Sequence, residues 1–278
     1  MRQLLQRRRR QSPSAWRFVR NEEFSVVGVD NRSPVPKRVA FICAMPMEVH
    51  PLKRKLSLEK TKIGSLEVYA GSLGERPVVA IVTGIGGVLA AQGVERLVEA
   101  MDIEEVVVVG ITGAIDNETP IGALVLPAVV VHGPTGTEYR PKKFGGVNPR
   151  GKMWTSDELI TDLDVIERLR TDGVIALDME TAVIAETCQR RNIPWSVFRA
   201  VSDRATEVSL DDEVLHLINR DGTFNMKRIG AFFAKQPGRL PALLRMAKDA
   251  RLAAEHAAAA AVNVLSRVPL HAPFSPDT

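Results

Sequence analysis

The sequence predicts an α/β domain over residues 37–267, with a central mixed, mostly parallel sheet flanked by helices. Two observations carry that prediction. Short β-branched runs recur with little polar interruption, as expected of strands buried on both faces, and segments with apolar residues at helical spacing stand between them. The bulk composition agrees: 278 residues, 45% hydrophobic, 25% charged, with 17 prolines, describe a globular chain able to bury a large core.

In order, "KRVAFICAM" (37–45) is a buried strand bounded by Pro36 and Pro46. "KTKIGSLEVYAGSL" reads as a hairpin leading into the core strand "RPVVAIVTG", and "GGVLAAQGVERLVEAM" (86–101) has helical spacing. "EEVVVVGITGA" (104–114) is an almost unbroken apolar strand, and "GALVLPAVVVHG" continues the sheet. "GVIALDM", "ETAVIAETCQRR" and "WSVFRAVSD" then give strand, helix and strand, and an alanine-rich helix runs from Pro241 to about Ser266. The stretch 133–154 breaks the rhythm. It is rich in Gly, Pro and basic residues, and loops of such length are functional lids or solvated excursions.

The net charge of +4 suggests nucleic-acid binding until it is located. Residues 1–20 hold seven arginines and no acid, which leaves 30 basic against 33 acidic residues in the remainder. A nucleic-acid enzyme is expected to carry its basic surface on the folded domain, so that class is set aside. Residues 1–36 read as a basic extension and 268–278 as a C-terminal tail. No apolar run approaches the about 18 residues that cross a bilayer, and no apolar export segment follows "RRRR". Cys43 and Cys188 are too few for a disulfide framework and read as core residues, so the expectation is a cytoplasmic protein away from membranes. The five histidines show no metal spacing, and no metal or cofactor is expected.

In open α/β sheets ligands bind outside the carboxyl ends of the strands. Those ends deliver Glu48, a Gly-rich turn after Val109, the pair Asp178 and Glu180 around Met179, and Ser202 with Asp203. Each has a plain alternative role: Glu180 in a helix dipole, Ser202 and Asp203 in a turn, Glu48 in a first helical turn. Their shared placement favours a site. "TGIGG" (83–87) lacks the third glycine of a dinucleotide loop, since Leu89 stands there.

The motifs "AMPMEV", "TGIGGVLAAQ", "VGITGA", "ALDMETAVIAETC" and "FRAVSD" resemble, in order and spacing, the purine nucleoside phosphorylase and nucleosidase superfamily, above all its methylthioadenosine/S-adenosylhomocysteine nucleosidase branch. The resemblance implies cleavage of the N-ribosidic bond of a purine nucleoside or 5'-modified adenosine, and a homodimer or larger homo-oligomer. By it, Asp203 is the acid for the purine ring nitrogen, Glu48 activates water, and Glu180 binds the ribose hydroxyls. Ser202 orients Asp203, Met179 packs on the sugar, and Met45 walls its outer end. Leu159 and Ile160 fall where the family lines the base, although Leu159 replaces an aromatic ring there. Ile111 and Thr112 occupy the Gly-rich turn. Arg199 reads as the structural partner of Asp178. The phosphorylase branch has an arginine and a serine where this chain has Val108 and Ile111. An aliphatic pair cannot neutralise phosphate, which favours water as the nucleophile. A phosphorylase and a non-catalytic nucleoside-binding protein are the alternatives.

Overall fold

The computed structural model describes residues 37–205, 217, 219, 221, 223 and 225–267. The expectations for 1–36 and 268–278 lie outside these residues. The described elements are β1 (Arg38–Cys43), α1 (Pro46–Lys55), β2 (Glu59–Ile63), β3 (Leu66–Leu73), β4 (Arg76–Val82), α2 (Gly87–Ala100), β5 (Ile103–Ala114) and β6 (Leu124–Val125). They continue with β7 (Val129–His132), β8 (Thr137–Tyr139), β9 (Lys152–Thr155), α3 (Leu163–Thr171), β10 (Val174–Asp178), α4 (Thr181–Arg190), β11 (Trp195–Arg204), α5 (Met226–Lys235) and α6 (Leu240–Leu265).

All eleven strands share one mixed sheet in the order β2-β3-β4-β1-β5-β10-β9-β7-β8, with β11 also paired to β5 and β6 to β11. β4, β1, β5 and β11 run parallel, whereas the β2-β3-β4 meander is antiparallel. Alternation along the strands splits the core into two layers. Ala40, Ile42, Val106 and Val108 pack under α2 and α4, while Val39, Phe41, Val107 and Val109 pack under α1 and α6. Alanines 253, 257 and 261, four apart, give α6 a smooth buried face against the sheet. Cys43 and Cys188 are free and buried in these layers, as their apolar surroundings predict. Among the described residues no helix is long and apolar enough to cross a membrane.

β5 changes neighbours along its length. Its pairing with β1 ends at Val108, and antiparallel pairing with β10 begins only at Gly113. The interval opens a slot in the sheet at the carboxyl end of β1, where such changes of neighbour place ligand sites.

The stretch 133–154 corrects an expectation. It is not one structureless loop: β8 pairs with β7, and β9 sits between β7 and β10, with residues 140–151 between them in no regular element. Phe144 is buried against Phe198, and Lys142 binds the buried Glu105 at 2.7 Å while its N–H reaches the Trp195 carbonyl. Glu105 and Trp195 lie at the amino ends of β5 and β11. Six residues of strand, about 20 Å, separate Glu105 from Ile111. Lys142 is therefore in no position to supply a positive charge to the slot, and Arg140 pairs with Glu138 instead. Short strands broken by glycine and proline have no periodicity to read, and their pairing comes from distant neighbours. Helices α3 and α5 also go unread in the sequence.

Candidate active site

Pro46 opens α1 and places Glu48 in its first turn, where the carboxylate turns back to the strand it came from. Its Oε2 accepts the N–H groups of Ala44 at 2.8 Å and Met45 at 2.9 Å, and its Oε1 accepts that of Ile111 at 2.9 Å. The Ile111 carbonyl in turn accepts from Arg199 Nη1 at 2.9 Å. Ile111 thus gives to two side chains the backbone groups that a neighbouring strand would otherwise take. A carboxylate has about four lone-pair sites, so three N–H donors leave Glu48 one. Burial raises its pKa, and Arg199 and the three N–H groups oppose the rise.

Arg199 joins the acids. Its Nη2 lies 2.7 Å from Asp178 Oδ2 and 3.3 Å from Glu180 Oε2, and its Nη1 lies 3.6 Å from Glu48 Oε1. All four side chains are buried. Burial works against the Arg199 charge, but the carboxylates of Asp178, Glu180 and Glu48 more than offset it and raise its pKa. One cation faces three acids, and Glu180 bears the consequence. Burial raises it to about 7, with Arg199 opposing and Asp178 adding to the rise. Glu180 Oε1 also accepts the Gly86 N–H at 2.8 Å. The "TGIGG" turn therefore serves a carboxylate: Gly86, at φ 97°, starts α2 with its N–H aimed at Glu180.

Asp203 stands at the far end of β11. A register shift between Val201 and Asp203 re-aims the strand there. Ser202 donates to Asp203 Oδ1 at 2.5 Å. Asp203 pairs in register with Gly113, two residues beyond Ile111 on β5.

Thr112 is buried, with its hydroxyl on the Leu177 carbonyl at 2.7 Å, so it fastens β5 to β10. Met45 and Met179 are half-buried beside Glu48 and Glu180. Leu159 and Ile160 line a cavity of about 510 Å³ with Trp154, Pro134 and Val165; the acids Glu48, Glu180 and Asp203 are not in that lining. The cavity nevertheless abuts the cluster. Ser156 N–H binds the Asp178 carbonyl at 2.9 Å, and Asp157 Oδ1 comes within 3.8 Å of where a Cβ on Gly87 would sit. Among the described residues no group of His, Cys, Asp and Glu is arranged to hold a metal.

With fold and cluster in view, the sequence matches the Phosphorylase superfamily over residues 38–161 and 147–234. The chain belongs to this superfamily. Among curated proteins it is similar to the 5'-methylthioadenosine/S-adenosylhomocysteine nucleosidase of Staphylococcus epidermidis, 29% identical over 198 residues, spanning 60% of this chain and 86% of the relative. The protein of the same name from an Exiguobacterium species is 28% identical over 201 residues, spanning 61% and 86%. Among solved structures the fold matches the Neisseria meningitidis nucleosidase in complex with methylthio-immucillin-A, with a TM-score of 0.63, 20% identity and coverage of 84% of this chain and 100% of that one. It also matches the futalosine hydrolase of Helicobacter pylori, with a TM-score of 0.63, 16% identity and coverage of 84% and 98%.

As a member of the superfamily, the chain carries site features that its sequence conceals. Arg199 reads as a structural ion-pair partner of a neighbour such as Asp178, yet it touches Glu48 and Glu180 as well. Gly86 and Gly110 have no polar side chain to draw attention. A Cβ on Gly110 would lie 2.3 Å from Glu48 Oε1 and 2.6 Å from Arg199 Nη1. Thr155, buried at the end of β9, donates to Asp178 Oδ1 at 2.6 Å. Thr155 ends a strand and Gly86 stands in a Gly-rich turn, whereas Arg199 and Gly110 face each other inside β11 and β5, where strand position carries no signal of a site.

Proposed function

We propose that the protein is a nucleosidase that hydrolyses the N-ribosidic bond of a 5'-modified adenosine, the substrate class named for its curated relatives. The observation that carries this reading is the arrangement of acceptors around Arg199. Glu180 gives one oxygen to Gly86 and the other to Arg199, which leaves an acceptor site on each for two neighbouring ribose hydroxyls. Glu48 keeps one site for a water molecule.

In this reading the C1'–N9 bond lengthens, positive charge grows on the sugar and the bonding electrons move into the purine. Asp203, oriented by Ser202, gives a proton to the ring nitrogen. Glu48 takes a proton from the water as its oxygen bonds to C1', and the buried negative charge of Glu180 stabilises the cationic sugar. Met45 and Met179 supply apolar walls, Ile111 and Thr112 the stretch of β5 beside the sugar, which is strand where the sequence suggests a Gly-rich turn, and Leu159 and Ile160 the wall for the base. Water is favoured over phosphate because Glu48 holds the Ile111 N–H that an anion would need, and a second anion there meets a carboxylate. The exposed Leu240, Leu244 and Leu252 of α6 support a homo-oligomer, and the two buried free thiols support a cytoplasmic location.

The test is to incubate the purified chain with methylthioadenosine, S-adenosylhomocysteine, adenosine and inosine, with and without phosphate. Free base (adenine, or hypoxanthine from inosine) and free sugar at a rate independent of phosphate are expected. A phosphate-dependent rate with sugar 1-phosphate as product overturns the hydrolytic reading, and binding without turnover favours a nucleoside-binding protein.

A further inference from the structure

We propose that Thr155 is a positioning residue that, with Asp178, caps helix α4 in place of Glu180 and so keeps the Glu180 carboxylate available to substrate. A helix begins with N–H groups that have no partner within it, and the residue at the cap position ordinarily satisfies them with its own side chain. Glu180 occupies that position in α4, yet its side chain makes no cap hydrogen bond. It reaches away from the helix to Gly86 and Arg199.

The unpartnered donors go elsewhere. Thr181 N–H binds Asp178 Oδ2 at 2.9 Å, and Ala182 N–H binds Thr155 Oγ1 at 3.0 Å. The Thr155 hydroxyl spends its own proton on Asp178 Oδ1, so one group both caps the helix and pins the carboxylate that holds Arg199. Register makes this possible. Thr155 lies opposite Asp178 in the parallel β9-β10 pair, so the last residue of β9 reaches the helix that follows β10. Removing the hydroxyl leaves the Ala182 N–H buried and unpaired, and the acceptor already standing at the cap position is Glu180. A carboxylate drawn in to cap the helix leaves Gly86 and the ribose.

The inference rests on Glu180 as the ligand of the ribose hydroxyls. It is tested with Thr155→Val and Thr155→Ser in the full chain, by adenine release from methylthioadenosine across pH and by chemical denaturation. In the Val variant kcat/KM is expected to fall about tenfold, mostly through KM, the scale of one hydrogen bond to a charged group. The acid limb of its pH profile moves upward, because a Glu180 drawn to the helix exchanges the Gly86 N–H for that of Ala182 but loses the Arg199 cation that favours its ionised form, and Ser restores both. A Val variant that is less stable but keeps the wild-type KM and pH profile overturns the proposal, as does a Ser variant that restores neither. Should the Val variant not fold, Thr155→Cys is expected to raise KM about threefold through a weaker hydrogen bond, and an unchanged KM overturns the proposal. If the wild type binds nucleosides without cleaving them, the Kd for adenosine replaces KM in the same comparison. A wild-type chain that neither cleaves nor binds any nucleoside overturns the functional reading, and this inference with it.

Discussion

Replacing Gly110 by alanine adds one methyl group at the most crowded point of the acid cluster. The new Cβ would stand 2.3 Å from Glu48 Oε1, 2.6 Å from Arg199 Nη1 and 2.8 Å from Glu48 Cδ. To reach ordinary contact the carboxylate retreats by about 1 Å. Its hydrogen bonds now measure 2.8–2.9 Å, so a shift of that size breaks one or two of them. Hydrogen bonds to charged groups contribute about 1.5–3 kcal/mol each, which places the loss of stability for one or two of them at about 1.5–6 kcal/mol. A misplacement of about 1 Å in a reacting group costs about 100-fold in rate. Gly110→Ala is therefore expected to remain folded at low temperature, with a lowered denaturation midpoint and kcat for adenine release down about 100-fold. Gly136→Ala is the control. Its φ of 69° strains an alanine as well, but nothing lies within 4 Å of its Cβ, so stability falls without a change in kcat. Wild-type kcat in Gly110→Ala refutes the reasoning, because Glu48 then acts from a position that the added methyl denies it.

Three further outcomes are expected. Asp203→Asn keeps the shape of the side chain but cannot donate its proton to the ring nitrogen, and kcat is expected to fall about 10²–10⁴-fold with an unchanged denaturation midpoint; a loss below fivefold argues against Asp203 as the acid. The second concerns pH: with Glu180 raised to about 7, the carboxylate is protonated below that value and cannot accept two hydroxyls. kcat/KM should thus rise through pH 7 and be about tenfold lower at pH 6 than on its plateau, and a flat profile between pH 5.5 and 8 contradicts the assignment. Finally, Lys142→Met leaves the buried Glu105 carboxylate, among the described residues, with only the Ser196 hydroxyl at 3.3 Å. It should cost about 1–3 kcal/mol of stability with kcat unaffected, and a selective loss of kcat would return the 133–154 stretch to the active site.

The strands that build the cluster are legible because each is an apolar run ending in a charged or glycine-rich turn, and Glu48, Glu180 and Asp203 announce themselves as acids at strand ends. What joins Glu48 to Glu180 is not legible. Arg199 meets three carboxylates from three different elements, and only the exchange of neighbours along β5 lets Glu48 and Arg199 share one residue of backbone. Thr155 is likewise an ordinary strand residue until pairing places it beside Asp178. β8 and β9 stay hidden because three or four residues among glycines and prolines carry no period, and α3 because nine residues leave little room for one.

The attachment of Glu48 to the amide of Ile111, and of Arg199 to its carbonyl, separates mooring from selectivity at that position. No substitution at 111 short of proline deletes either backbone group, whereas the side chain, partly buried against the layer under α1 and α6, can change without removing either tether. A serine introduced there would alter what the nucleophile meets while both charged residues stayed tethered. Position 111 is accordingly a place where the choice of attacking group can be retuned without dismantling the apparatus around it.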